Sequence, residues 1–411
     1  MSIVASRMNR IKMSPTAAAR VIIAELRQNG TDIVDLTIGE PDFDTPEHIR
    51  AAGEVAIRDG DTHYPLSQGT PALRKAIRFR ILDEIGMDYP VERIIVSTGA
   101  KQVIYNGLVA SLDDGDEVII PAPYWVSYPD MVTLAGGAPV VAPADVSNGY
   151  KIDAAALSSV ITPATKWLML NSPSNPSGAV YDEAELADLA SVLRKHPHVH
   201  VMTDDIYARL TFSQPAAPHL LQVAPDLVDR VLIVNGVSKA YAMTGWRIGY
   251  GAGPSELVKA MAVVQSQSTS GASSIGQAAA VAALSGPQAC VGQFAARFRQ
   301  RRDIAIDILS QAQGLKLVAP EGAFYVFPDC SDLIGRKTPA GDFIDSDTAL
   351  VHHILRQTGV AVIDGSSYGV PGTFRLSYAT GDDIVERGCL AIRDVCNAIV
   401  AATAPQPMEM H

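Results

Sequence analysis

Between residues 91 and 253 short apolar runs alternate with helical patterns, and this alternation constrains the fold more than any other feature of the chain. Arg93-Ile94-Ile95-Val96-Ser97 precedes a helical pattern over 101–112, and Glu117-Val118-Ile119-Ile120 precedes one after Pro123. Pro139-Val140-Val141 is followed by a helix over 153–160, and Lys166-Trp167-Leu168-Met169-Leu170 by one over 182–195. Val199-His200-Val201-Met202-Thr203 ends at Asp204, and Arg230-Val231-Leu232-Ile233-Val234 ends at Asn235-Gly236. Strand-length apolar runs interleaved with helices predict an α/β architecture, a largely parallel sheet covered on both faces. Such sheets place ligands beyond the carboxyl ends of their strands. Asp204 and Ser238-Lys239 both fall there.

After about residue 293 the pattern changes. A long helix leads to strand patterns in Gly322-Ala323-Phe324-Tyr325-Val326-Phe327 and Phe374-Arg375-Leu376-Ser377-Tyr378, with helices over 348–357 and 383–401. This predicts a smaller α+β unit that the N-terminal segment, with a helix over 15–28, joins. The expected division is a large unit over 50–292, and a small one from 1–49 and 293–411 with an N-terminal arm. Residues 403–411 carry two prolines and little to bury, and predict a loose tail. Gly249, Gly251 and Gly253 lack the spacing of a dinucleotide fingerprint and predict a tight hairpin.

Composition removes several function classes. The 411 residues are 47% hydrophobic, enough for a well-packed enzyme, and no apolar run approaches the roughly 18–20 residues that span a bilayer. With no secretory pattern at the start, a soluble cytoplasmic protein is expected. A net charge of −11 argues against nucleic acid or an anionic membrane as the main partner. Cys290, Cys330, Cys389 and Cys396 show neither zinc spacing nor a disulfide framework, and reduced, mostly buried thiols are expected.

Lys239 is the most informative candidate. An amine just past a strand end is placed to form an imine with an aldehyde cofactor, and Arg247 follows at a distance suited to an anion. Gly99-Ala100-Lys101, between a strand and a helix, supplies backbone amides of the kind that grip a phosphate, although a plain strand-to-helix turn has the same pattern. Asp204 or Asp205 is either a functional carboxylate or a helix N-cap. Arg375 on a strand is costly unless paired with a carboxylate.

Eight motifs occur in one order: Thr37 to Phe43, His63-Tyr64-Pro65 through Gly69, Ser97-Thr98-Gly99-Ala100-Lys101-Gln102, Pro123-Tyr124-Trp125, Asn171 through Gly178, Asp204-Asp205-Ile206-Tyr207, Ser238 through Arg247, and Phe374-Arg375-Leu376-Ser377. Together they resemble the class I/II aminotransferases of the PLP-transferase fold type I, in particular the bacterial aspartate aminotransferase branch, which includes aspartate/prephenate enzymes. The resemblance implies a large domain with a mostly parallel seven-stranded sheet and a smaller α+β domain. It implies pyridoxal 5′-phosphate on Lys239, with the phosphate held by Gly99, Ala100, Lys101, Ser238 and Arg247, and by Tyr64 from a second subunit of an obligate homodimer. Asp204 then faces the ring nitrogen, although the family usually writes Asp-Glu-Ile-Tyr at this point. Asn175 and Tyr207 face the phenolic oxygen, and Trp125 stacks on the ring. Arg375 pairs with the substrate's α-carboxylate, Gly39 closes over the substrate, and Lys101, helped by Lys12, reads a distal carboxylate.

The resemblance also implies ping-pong transfer of an amino group from aspartate or glutamate to 2-oxoglutarate or oxaloacetate. Lys239 is both anchor and general base, with Asp204 and Tyr207 completing the catalytic set. A prephenate, aromatic or alanine preference, a β-lyase using the same lysine and aspartate, and a non-catalytic regulator on the same fold are the alternatives.

Overall fold

The computed structural model describes residues 3–403 apart from 14, 29 and 31. At its centre is a seven-stranded sheet of β1 (Ile94–Ser97), β2 (Glu117–Pro121), β3 (Ala138–Ala142), β4 (Thr165–Asn171), β5 (His200–Asp204), β6 (Val231–Gly236) and β7 (Gly249–Ala252). The strands lie in the order β1-β7-β6-β5-β4-β2-β3. β7 runs antiparallel to both neighbours, and every other pair is parallel.

The apolar runs are continuous because both faces of this sheet are covered. Ile94, Val96, Ile119, Leu168, Leu170, Val201, Val231 and Ile233 pack into one core. Their strand neighbours Ile95, Val118, Ile120, Trp167, Met169, Met202, Leu232 and Val234 pack into another on the opposite face. This is the period of two that successive strand residues impose.

The glycines expected at a hairpin are instead part of the sheet. Gly249 and Gly251 lie within β7, Gly253 follows it, and residues 237–248, Lys239 among them, form the connection from β6. A β-carbon on Gly249 would overlap the backbone of Gly99 and Ala100, so the glycine lets the start of the helix Ala100–Ser111 sit directly on the sheet.

A second, three-stranded antiparallel sheet has the order β9-β10-β8, with β8 (Tyr325–Val326), β9 (Ile363–Asp364) and β10 (Phe374–Ser377). It packs with the helices Ala289–Leu309, Asp347–Thr358 and Asp382–Thr403 around a separate core that holds Phe298, Phe324, Leu350, Leu376 and Ile392. The strand expected over 322–327 is shorter because Gly322 and Ala323 donate their amides to Gly178 and Leu210 instead. The N-terminal segment joins this unit: Val34–Asp35 pairs in parallel with Val360–Ala361, and the helix Pro15–Gln28 precedes it. Cys330, Cys389 and Cys396 are buried in this core, and Cys290 is half-buried. The tail expected over 403–411 lies, from residue 404 on, outside the described residues. Among the described residues no helix is long and apolar enough to cross a membrane.

Candidate active site

Parallel register brings three strand ends together. Asn171 is paired with Asp204, Asp204 with Val234, and β6 ends at Gly236, three residues before Lys239. A cavity of about 380 Å³ opens above them, against residues of the smaller sheet.

Asp204 is held from several sides. Its backbone carbonyl accepts from the Asn171 amide at 2.7 Å, and Oδ2 accepts from the Tyr128 hydroxyl at 2.6 Å. Burial raises its carboxyl to about 6, against the opposing pull of the Tyr128 hydroxyl. Asp205 turns away: Oδ2 accepts from Thr203 Oγ1 at 2.9 Å and lies 3.3 Å from His219 Nε2. Of the two adjacent acids, only Asp204 lines the cavity.

Lys239 Nζ donates to the carbonyl of Gly39, and its amine is drawn down to about 8. Burial is the main cause; Arg247 and Arg375 add to it, while Glu40 and Asp204 oppose it. Glu40 itself accepts from Thr244 Oγ1 at 2.6 Å, tying the N-terminal segment to the lysine-bearing connection.

An anion seat adjoins the lysine. The helix Ala100–Ser111 begins at Gly99 with no side-chain cap, so its first amides face the cavity mouth at the positive end of the helix dipole. Arg247, at φ 58°, donates to the carbonyls of Thr244 at 2.9 Å and Thr98 at 3.2 Å, which aims its charge at the same place. Gly99, at φ 90°, has no room for a β-carbon beside that guanidinium. Uncapped amides, a fixed guanidinium, a lysine amine near neutrality and a buried carboxylate fit a phosphorylated aldehyde with a basic ring nitrogen. Pyridoxal phosphate is such a molecule.

The opposite wall is cationic too. Arg375 is 1% exposed and donates from Nη1 to Asn175 Oδ1 at 3.0 Å and from Nη2 to the Thr37 carbonyl at 2.7 Å. Its guanidinium lies 4.5 Å from the Tyr325 ring centre, and Nε is buried without a partner. Because Arg375 can only donate, the Asn175 oxygen faces it and the Asn175 NH₂ is left for the cavity. Tyr207 and Tyr325 share a 2.9 Å hydroxyl contact. Lys101 Nζ donates to Ser127 Oγ at 3.2 Å and lies 4.5 Å from the Trp125 ring, with its amine lowered by partial burial and by Arg247.

The cavity thus gathers Gly39, Ala100, Lys101, Trp125, Asn175, Asp204, Tyr207, Ser238, Lys239, Arg247 and Arg375 from the expected set, with Gly99 directly behind Arg247. Two expected residues stand elsewhere. Tyr64 is 94% exposed, and Lys12 is an exposed arm residue whose backbone amide bonds Asp130. Tyr128, Asn171, Ser127, Thr244 and Tyr325 also line the cavity and escaped the sequence reading as site residues. Tyr128 had a signal: it follows Trp125 by three residues, and the two rings meet edge-on at 5.4 Å.

The model of the family "Aminotransferase class I and II" matches residues 31–392. The chain belongs to the class I and II aminotransferases. It is similar to a probable aspartate/prephenate aminotransferase of Rickettsia bellii, 51% identical over 97% of this chain and 100% of that protein. It also resembles the aspartate/prephenate aminotransferase of Cereibacter sphaeroides, 48% identical over 96% of this chain and 99% of that one. Among solved structures, the aspartate aminotransferase of Rhizobium meliloti superposes with a TM-score of 0.94 at 46% identity, covering 97% of this chain and 100% of the other. The Thermus thermophilus aspartate aminotransferase with maleate superposes at 0.89, with 39% identity over 96% and 100% of the two chains. In this transaminase, therefore, the cavity at the sheet's carboxyl edge is where amino-group chemistry is to be sought.

Proposed function

We propose that this aminotransferase binds pyridoxal 5′-phosphate in the cavity and moves the amino group of L-aspartate or L-glutamate to 2-oxoglutarate or oxaloacetate. One observation carries the reading: three cationic groups, Arg247, Arg375 and Lys101, surround the Lys239 amine in a single cavity. One suits the phosphate, one an α-carboxylate and one a distal carboxylate. The maleate solved with the Thermus enzyme is a four-carbon dicarboxylate, which agrees with that arrangement.

When bound, the cofactor supplies an aldehyde carbon for amines and a pyridinium ring that accepts electrons released at the substrate's Cα. The chain supplies the rest. The anion seat of Gly99, Ala100, Ser238 and Arg247 would hold the phosphate, Asp204 would keep the ring nitrogen protonated, and Trp125 would cover the ring. Asn175, oriented by Arg375, and Tyr207 would donate hydrogen bonds to the phenolic oxygen. Arg375 grips the α-carboxylate, so the substrate's Cα is presented toward Lys239. Nζ, drawn down to about 8, is basic enough to take the Cα proton and acidic enough to return it. Gly39, whose carbonyl accepts from Nζ and which lines the cavity, would close over the substrate. The donor's keto acid leaves before the acceptor enters, so one lysine serves both halves of the reaction. Lys101 lines the cavity and Lys12 does not, so Lys101 is read as the distal contact.

The division into a cofactor-carrying unit over 50–292 and a smaller unit from 1–49 and 293–411 is part of this reading. Tyr64 is read as a phosphate donor to a second subunit's site, which makes the enzyme a homodimer. Its 94% exposure, beside Leu66 at 60%, supports a surface that a second chain covers. Prephenate is a second acceptor to consider because of the names of the Rickettsia and Cereibacter relatives. The test is a half-reaction: cofactor-loaded protein is mixed with L-aspartate alone. One equivalent of oxaloacetate per site, with a change in the cofactor's visible absorption, is expected. No change with aspartate, but change with alanine or an aromatic amino acid, contradicts the dicarboxylic assignment.

A further inference from the structure

We propose that Tyr128 is a positioning residue for the cofactor, its hydroxyl holding the Asp204 carboxylate ionised and aimed at the ring nitrogen. The proposal rests on the functional reading above for the identity of that nitrogen.

Tyr128 is buried at the start of the helix Tyr128–Leu134, where its amide donates to the Trp125 carbonyl at 3.0 Å. That turn places its ring edge-on against Trp125 and its hydroxyl 2.6 Å from Asp204 Oδ2. The other carboxylate oxygen has only a long contact, 3.4 Å from the Ile206 amide. One oxygen is therefore anchored and the other is left to face the cavity.

The charges around Asp204 make the hydroxyl matter. Asp205 is the next residue, and its negative charge works against ionisation of Asp204, as burial does. His219 faces Asp205 rather than Asp204: its Nδ1 accepts the Leu221 amide at 3.1 Å, and its Nε2 lies 3.3 Å from Asp205 Oδ2. Lys239 is the positive group that favours the ionised form, and Tyr207 lies on the segment that follows. The phenol of Tyr128 is held well above its ordinary value by burial and by Asp204, so it stays a donor. Without that donor, a carboxyl in this setting takes up a proton more readily and can no longer pair with a protonated ring nitrogen. Phenylalanine would preserve the ring packing against Trp125 and remove only the hydroxyl.

The experiment uses the full chain with Tyr128→Phe, and Asp204→Asn to identify the carboxyl band. In the cofactor-free protein, the Asp204 carboxyl is followed by infrared difference spectroscopy from pH 4 to 9. The wild-type band should titrate near 6, and Tyr128→Phe should move it upward by about one pH unit. In the same proteins, pyridoxal phosphate binding followed by visible absorption should weaken by roughly tenfold in the variant. Circular dichroism and the melting temperature of Tyr128→Phe show that it is folded. If the wild type binds the cofactor and the variant matches it in both titration and affinity, the role of Tyr128 is overturned. If the wild type binds no pyridoxal phosphate, the functional reading falls, and with it the cofactor part of this proposal. The infrared titration then still decides whether Tyr128 governs Asp204.

Discussion

On one wall of the cavity, Asn171, Asp204 and the Lys239 connection stand at the ends of three adjacent strands in a seven-stranded sheet with a core on each face. On the other wall, Arg375 and Tyr325 stand on strands of four and two residues in a three-stranded sheet. The first wall is positioned by ladders and packing. The second is positioned by hydrogen bonds to the N-terminal segment: Arg375 to the Thr37 carbonyl, and Arg301, on a helix of the same unit, bidentately to Asp42 at 2.7 and 2.8 Å. The difference suits the proposed function, in which a sheet-built wall would carry the cofactor and a tethered wall would meet a substrate that must enter and leave.

The largest expected break in this comparison is on the sheet-built wall. Lys239→Ala should lower turnover by at least about a thousandfold, because one residue is lost as both anchor and proton carrier. Steady-state assay with aspartate and 2-oxoglutarate checks this. On the tethered wall, Arg375→Lys should lower kcat/KM by roughly fiftyfold while cofactor binding is retained, since a point charge cannot reproduce the bonds to Asn175 and Thr37 together with a substrate carboxylate. Equal loss of cofactor binding would erase the distinction between the walls. Lys101→Ala should cost roughly tenfold in kcat/KM for dicarboxylic substrates, with a much smaller change for alanine. The mildest test is pH. Burial lowers Lys239 to about 8, so the reactive neutral amine is a minority below that pH and dominates above it. Capture of pyridoxal phosphate by the cofactor-free protein should therefore accelerate through about pH 8 and then level off, as measured by stopped-flow absorption.

Much of the sheet-built wall was legible in the sequence, because apolar runs of strand length end where Asp204 and Lys239 begin. Three features were not legible. The glycines at 249–253 looked like a hairpin because a sequence does not show that the helix start at Ala100 presses on that strand. Tyr128 was hidden because the helix expected after Pro123 begins only at Tyr128, and the intervening turn is what sets Trp125 beside it. The strand expected over 322–327 was overestimated because the first residues of that run spend their amides on the Gly178 and Leu210 carbonyls. Tyr64 illustrates a different limit: the role proposed for it lies in a second subunit's site, and within its own chain it is only an exposed ring.

Lys239 and Lys101 both line the cavity and both have lowered amines, so the attachment site of the cofactor is the sharpest point of the account. Borohydride reduction of the pyridoxal phosphate-loaded protein, followed by peptide mass mapping, tests it directly. A single adduct on the peptide containing Lys239 is expected. An adduct on Lys101, or none on either lysine, would contradict it.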